Sequence, residues 1–176
     1  MLRLWLLRHA KSAWDDPELD DFARPLSPRG EKACRRLARH MSERGIRPDL
    51  VLCSPATRTR QTWERLEKRL APTPPDQIKT RFEAKLYLAE AAVLLTVIRT
   101  VPATCREVLL IGHNPGLEDF ARRLTGTSAG NALARLEEKY PTAGLAELCF
   151  PVENWPQVKP GAGFLASFVT PRQLDG

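Results

Sequence analysis

Two histidines and two arginines stand shortly after apolar runs of the kind that form buried strands. Arg8 and His9 follow a strand predicted at 3–7, Arg58 comes soon after one at 49–53, and His113 follows one at 107–111. The turns CSPATRTRQT and IGHNPG also contain Ser-Pro and Asn-Pro pairs, which are typical of helix starts. Helix N-termini at the carboxyl ends of parallel strands favour anions. We therefore predict that these four side chains converge on an anion-binding site.

Each of the four residues has a simpler interpretation when it is taken alone. A single His or Arg at a strand end is more often a surface or capping residue than a catalytic one. The joint occurrence at three successive strand ends is what favours a site.

Short apolar runs alternate with longer amphipathic segments, the pattern of a parallel sheet with crossover helices. Ser27 as N-cap, Pro28 in the first turn and Gly45 after the last turn predict a helix over 28–44. The other predicted helices are 55–70, 90–101 and 116–125, the other strands are 79–82, 145–150 and 163–169, and a Pro-rich turn is predicted at 71–76. We predict one domain over residues 1–176, an α/β fold built as a three-layer α/β/α sandwich around a mostly parallel central sheet.

Composition excludes several classes of function. The chain has 176 residues, a net charge of +6 and a pI of about 9.5, but its arginines are scattered among acids and no aromatic-basic motif occurs. We therefore expect no nucleic-acid partner. The apolar run before Arg8 is too short for a signal peptide and no run approaches a membrane span, so we expect no membrane association. Neither the four cysteines nor the three histidines have metal-ligand spacing, and the thiols are interpreted as reduced in a cytoplasmic protein.

The sequence resembles the histidine phosphatase superfamily, and is most similar to its small SixA-type phosphohistidine phosphatase branch. The matching stretches are LLRHAKSAW, RPLSPRGEKA, PDLVLCSPATRTRQT, LYLA and VLLIGHNPGLEDFA, in the family's order, together with the closing FLASFVTPRQL. Ala10 stands where many members of the wider superfamily carry Gly, and the smaller branch resembles this sequence there. The resemblance implies a phosphoglycerate-mutase-like fold.

The resemblance also implies roles for the four residues. His9 would attack phosphorus and carry a covalent phosphohistidine intermediate. Arg8 and Arg58 would bind the non-bridging oxygens, and His113, protonated in an anionic complex, would add positive charge. No metal or other cofactor is implied, because these side chains supply the charge that Mg²⁺ supplies elsewhere.

Three further residues are candidates for the site. Glu83, just past the strand predicted at 79–82, is the nearest candidate for the carboxylic acid that larger members use to protonate the leaving group; its alternative interpretation is a solvated loop glutamate. Lys11 and Asn114 are predicted substrate-binding residues, and Lys11 can equally serve only to raise the local potential.

The function we expect is hydrolysis of phosphohistidine on a partner protein. A weak or absent acid favours a phosphoramidate, whose nitrogen protonates readily. The 55 positions separating Arg58 from His113 are used by predicted elements and leave no segment for a large lid. The alternatives are a broad-specificity phosphomonoesterase for small phosphate esters, and a phospho-ligand binding module without catalysis.

Overall fold

Seven strands form one mixed sheet in the structure, a computed structural model that describes residues 1–70 and 78–174. The strands are β1 (Leu2–Arg8), β2 (Leu50–Cys53), β3 (Lys79–Phe82), β4 (Glu107–Gly112), β5 (Thr125–Ser128), β6 (Leu145–Phe150) and β7 (Gly163–Val169). The helices are α1 (Pro28–Glu43), α2 (Thr57–Leu70), α3 (Ala91–Ile98), α4 (Gly116–Leu124) and α5 (Ala132–Glu138).

The order of strands across the sheet is β3-β2-β4-β1-β6-β7-β5. The pairs β3–β2, β2–β4, β4–β1 and β7–β5 are parallel, whereas β6 runs antiparallel to both of its neighbours. Since only β6 is reversed, the predicted mostly parallel sheet is confirmed. The carboxyl ends of β2, β4 and β1 lie side by side at one edge.

Each face of the sheet carries a helical layer and a separate apolar core. On one face, Trp5 and Leu7 of β1 pack with Leu37 of α1 and Trp63 of α2. On the other face, Leu2, Leu4 and Leu6 pack with helices α3, α4 and α5. Alternate residues of β1 thus enter opposite cores, as the twofold repeat of a strand requires. The predicted three-layer architecture is confirmed.

Several element boundaries differ from the predictions. Helix α2 begins at Thr57 rather than at position 55, because the N–H groups of Thr59 and Arg60 both bond to the carbonyl of Ala56. Helix α3 ends at Ile98, before the predicted 101. The structure adds α5 and β5, which were not predicted. Strands β6 and β7 occupy the predicted ranges, and the Pro-rich turn at 71–76 lies outside the described residues.

Helix α1 is closely apposed to the loop that follows β1. The Ser27 side chain accepts a hydrogen bond from the Gly30 N–H at 3.1 Å, and its own hydroxyl lies 3.0 Å from the Lys11 carbonyl. A Cβ at Gly30 would lie 2.1 Å from that carbonyl oxygen, so only glycine permits this approach. The start of α1 thereby holds the loop that carries His9 and Lys11.

Among the residues that the structure describes, no helix combines the length and apolar character needed to cross a membrane.

Candidate active site

Three neighbouring strand ends bring the predicted residues together. The His9 N–H bonds to the Gly112 carbonyl, and the Ser54 N–H bonds to the Ile111 carbonyl, both at 3.1 Å. These bonds extend the β1–β4 and β2–β4 pairings by one residue beyond the strands. His9, Ser54 and His113 therefore stand in adjacent positions along the edge of the sheet, which explains why their side chains meet.

The ring of His9 is held with one nitrogen available as an acceptor. Its Nδ1 lies 2.8 Å from the Ala10 carbonyl, which can only accept, so Nδ1 carries the proton. Its Nε2 lies 3.3 Å from the Nε–H of Arg58 and accepts from it. Burial, together with the nearby charges of Arg58 and Arg8, lowers the pKa of His9 to about 4. The ring is therefore neutral at neutral pH, with its Nε2 lone pair directed into the site.

Arg58 lies in the first turn of α2 and connects the two histidines. Only 2% of the residue is exposed. Its Nε donates to Nε2 of His9, and its Nη2 donates to Nδ1 of His113 at 3.2 Å. Its Nη1 donates to the Asp21 carbonyl at 2.6 Å. The planar guanidinium thus spans the centre of the site and fixes the spacing of the two rings, whose centroids are 5.2 Å apart.

His113 is held by Ser54, a residue whose Ser-Pro pair predicts only a helix cap. Its Nδ1 accepts from Arg58, so its Nε2 carries the proton and donates to the Ser54 hydroxyl at 2.7 Å. Burial, followed by the neighbouring His9 and Arg58, lowers the pKa of His113 to about 3. The ring is neutral in this arrangement, so the positive charge expected on it requires the arrival of an anion. Ser54 lies three residues before α2 and orients His113.

Arg8 and Asn114 share one backbone acceptor. Arg8 Nη1 donates to the Tyr140 carbonyl at 2.8 Å, and the Asn114 amide donates to the same oxygen at 3.2 Å and to Glu118 at 2.9 Å. The Nε of Arg8 and the amide oxygen of Asn114 are buried and have no hydrogen-bond partner. The Asn-Pro pair predicts Asn114 as the cap of the following helix, but the N-cap of α4 is Pro115, so this prediction is wrong.

Asp21 is a site residue that the sequence did not reveal. Its carboxylate accepts from the Tyr87 hydroxyl at 2.6 Å and from Arg58 at 3.0 Å, and it also pairs with Arg24. These hydrogen bonds, that of Tyr87 foremost, hold the pKa of Asp21 well below its usual range. Asp21 ends the acidic stretch DDPELDD and begins a 3-10 helix (Asp21–Ala23), and no periodicity in that stretch distinguishes one acid from another. Tyr87 belongs to LYLA, one of the stretches that resemble the family. No other feature of the sequence indicated that Tyr87 belongs to the site.

The side chains enclose a cavity of about 220 Å³. Its lining includes six of the seven predicted site residues together with Asp21 and Arg24, and Lys11 is the exposed one of the six. The seventh, Glu83, is not brought to the cavity. The Glu83 carboxylate is bound instead to the side chain of Arg81 at 2.6 Å.

Positive charge dominates the cavity. Its described lining residues include four cations, which are Arg8, Lys11, Arg24 and Arg58. They include only one carboxylate, that of Asp21, and the two histidine rings are neutral. Within residues 1–70 and 78–174, no three His, Cys, Asp or Glu side chains form a group that could hold a metal ion. A neutral nucleophile surrounded by fixed cations is suited to transfer of a phosphoryl group.

Comparisons with known proteins agree with this chemistry. The model of the histidine phosphatase superfamily (branch 1) matches residues 4–84. The uncharacterized protein Rv1276c of Mycobacterium tuberculosis is 35% identical over 168 residues, which cover 94% of this chain and 100% of that protein. The crystal structure of SixA from Agrobacterium tumefaciens is 30% identical, with a TM-score of 0.79 and coverage of 96% of this chain and 97% of that one. SixA from Nakamurella multipartitia, 24% identical, shares the fold with a TM-score of 0.82 over 97% of this chain and 96% of that one. The chain therefore belongs to the histidine phosphatase superfamily, is of its SixA type, and is a phosphatase.

Proposed function

We propose that this phosphatase hydrolyses phosphohistidine on a partner protein, through a covalent intermediate on His9 and without a metal ion. The observation that carries the proposal is the state of His9, a neutral ring that lines the cavity with Arg8 and Arg58 and whose unprotonated Nε2 accepts from Arg58. The roles of Arg8, Arg58 and His113 are part of the same proposal.

In the first step, His9 Nε2 attacks the phosphorus atom of the substrate. The new N–P bond forms as the substrate's P–N bond breaks, and the electron pair of the broken bond stays on the departing imidazole nitrogen. The Nε–H of Arg58, which points at the His9 lone pair, can turn to a non-bridging oxygen of the entering phosphoryl group. The unpartnered Nε of Arg8 supplies a second donor to these oxygens.

In the second step, water attacks the phosphorus atom of phosphorylated His9. The N–P bond breaks, inorganic phosphate leaves, and His9 recovers its neutral ring. A phosphoryl dianion beside His113 favours the protonated imidazole, and this second cation would stabilise charge that develops on the transferring group. The hydroxyl of Ser54 keeps that ring in place.

The acid–base properties of the cavity favour a nitrogen leaving group. Asp21, which stands alone as a carboxylate among the described lining residues, has a lowered pKa and is held as an anion by Tyr87 and Arg58. It has no proton to donate at neutral pH. An alkoxide departs poorly under these conditions, whereas an imidazole whose second nitrogen is protonated departs as a neutral molecule. A phosphoramidate is therefore the substrate that this cavity serves best.

The positive charge of the lining residues supports metal independence. Arg8 and Arg58 are well placed to bind the oxygens of the phosphoryl group, and Arg24 and Lys11 add to the local potential. A cavity of about 220 Å³ holds a phosphoryl group and little more, which is consistent with a substrate whose remaining part stays outside, as in a protein.

The proposal is tested by trapping the phosphoenzyme. A histidine peptide labelled with ³²P at the imidazole is mixed with the enzyme, the reaction is quenched in alkali, and acid-labile label is mapped. We expect label on His9 and its absence in His9→Ala. His40, a half-exposed histidine on α1, provides the matched control, and His40→Ala should retain label and turnover.

The same assay is run with EDTA and with an aryl phosphate beside the peptide. Label on another residue, or turnover by His9→Ala above about a hundredth of the parent rate, would contradict the covalent role of His9. Loss of activity in EDTA that a divalent ion restores would contradict metal independence. Faster hydrolysis of the aryl phosphate than of the peptide would contradict the substrate class.

A further inference from the structure

A second, larger depression lies beside the catalytic cavity, between α1, α5 and the C-terminal segment. Its volume is about 720 Å³, compared with about 220 Å³ for the catalytic cavity. Lys11 and Thr142 line both, so the two depressions are adjacent. A ligand in the larger one would lie next to a phosphoryl group in the smaller one.

Positive charge is concentrated on the walls of this depression, which we call the basic groove. Among the described residues that line it, the single carboxylate is that of Glu138. Its seven cationic side chains come from α1 (Arg29, Lys32 and Arg36), from α5 and its end (Arg135 and Lys139), from the C-terminal segment (Arg172) and from the loop after β1 (Lys11). The local excess of six positive charges equals the net charge of the whole chain, +6. A large share of the positive charge of the protein is therefore concentrated at this groove.

Most of these cations have no acidic partner. In the part of the chain that the structure describes, no carboxylate lies within ion-pairing distance of the five side chains of Lys11, Arg29, Lys32, Lys139 and Arg172. Elsewhere on the surface, several arginines are paired with nearby acids, as in Arg39–Glu43 and Arg65–Glu31. Cations that are gathered in a concave surface and left without partners create a positive potential, which attracts an anionic ligand.

We propose that the basic groove docks an acidic segment of the phosphorylated protein, next to its phosphohistidine. This inference rests on the proposed function and names the chemistry of the partner. The groove, at about 720 Å³, is too large for one phosphate, and its cations come from four separate segments of the chain, an arrangement that matches several carboxylates better than one compact anion. The shared residues Lys11 and Thr142 place such a segment within reach of the phosphohistidine in the catalytic cavity.

The primary test is a binding measurement that does not depend on catalysis. A fluorescein-labelled peptide rich in Asp and Glu is titrated with the protein at physiological salt, beside a peptide of equal length in which Asn and Gln replace the acids. The groove variant is the double substitution Lys32→Glu with Arg172→Glu. The control variant, Lys68→Glu with Lys159→Glu, makes the same change of charge at exposed positions outside the groove.

We expect the acidic peptide to bind at least roughly tenfold more tightly than the neutral one, and the groove variant to lose most of this preference. The control variant should keep the preference within about twofold. Equal weakening in both variants, or no preference in the parent, would overturn the proposal. So would tighter binding of a single-stranded oligonucleotide with the same number of charges, because the groove would then serve another class of partner.

A kinetic measurement links the groove to the reaction. Phosphohistidine is placed beside the acidic tract or the neutral tract, and kcat/KM is normalised to turnover of an aryl phosphate by the same variant. We expect the groove variant to lower kcat/KM for the acidic phosphopeptide alone. Charge-dependent binding without hydrolysis of either phosphopeptide would contradict the proposed function and leave the docking surface supported, so the two failures are distinguishable.

Discussion

The two active-site histidines should resist protonation far below the pH at which histidine ordinarily titrates. Burial and the surrounding arginines lower the pKa of His9 to about 4 and that of His113 to about 3, against an ordinary value near 6.5. For His9 this difference corresponds to about 3 kcal/mol in favour of the neutral ring. At pH 5 about nine tenths of His9 is then neutral, whereas a pKa of 6.5 would leave only about 3% neutral.

The same difference makes stability depend on pH in a defined direction. Between pH 6.5 and about 4, the unfolded chain takes up protons at His9 and His113 that the folded protein excludes. The free energy of unfolding therefore decreases as the pH falls through this window, and the full contribution is present above pH 6.5. Acid should lower the thermal midpoint while the remaining folded protein keeps a nucleophilic His9.

The assay is an NMR titration of the imidazole C–H signals, which is tractable because the chain has only three histidines. The His40→Gln variant identifies the signal of His40, and kcat/KM measured in parallel reports the ionisation of the free enzyme once the ionisation of the substrate is corrected for. We expect kcat/KM to change little between pH 7 and pH 5. A His9 signal that titrates near pH 6.5, or a fall in kcat/KM of about tenfold or more over that range, would refute this reasoning.

Three further outcomes follow from the contacts of individual residues. Asp21→Asn should tighten inhibition by inorganic phosphate several-fold, because a neutral amide no longer competes for arginine donors; weaker inhibition would mean that Asp21 chiefly holds the arginines in place. Glu83→Gln should change kcat/KM by less than about twofold for alkyl, aryl and histidine phosphates alike, since Glu83 pairs with Arg81 outside the cavity; a loss confined to alkyl phosphates would identify Glu83 as the acid after all. Gly30→Ala should lower the free energy of unfolding by about 2–4 kcal/mol, measured by urea denaturation, because its Cβ would collide with the Lys11 carbonyl; an unchanged midpoint would show that α1 can shift at no cost.

Local patterns in the sequence were sufficient for the sheet core and for most of the catalytic set. The strand ends of β1, β2 and β4 are marked by apolar runs that stop at Arg8, Ser54 and His113, and parallel strands place such ends at one edge. The start of α1 was equally predictable, because the Ser27 side chain accepts from the N–H of Gly30 only three residues away and Pro28 occupies the first turn. These features depend on residues close together in the chain.

Features that depend on long-range pairing were not predictable from the sequence. Strand β5, with the polar sequence TGTS, is a strand only because β7 pairs with it, and α5 is too short for its two buried residues to establish a helical period. Asp21 acquires its role because the loop before α1 folds over Arg58, 37 residues away along the chain. No periodicity encodes such a contact.

The sequence by itself determined the fold class, the family and the residues able to do phosphoryl-transfer chemistry, because strand and cap signals and the Arg-His pair are local. The tertiary structure alone decided which nitrogen of His113 carries its proton, since that depends on the donor Arg58 and the acceptor Ser54, both distant in the chain. It also decided which acid enters the cavity and where the excess charge resides. Arginines and lysines that are scattered along the sequence line one basic groove because the C-terminal segment packs against α1, and the strand β7 that leads into that segment packs against α5.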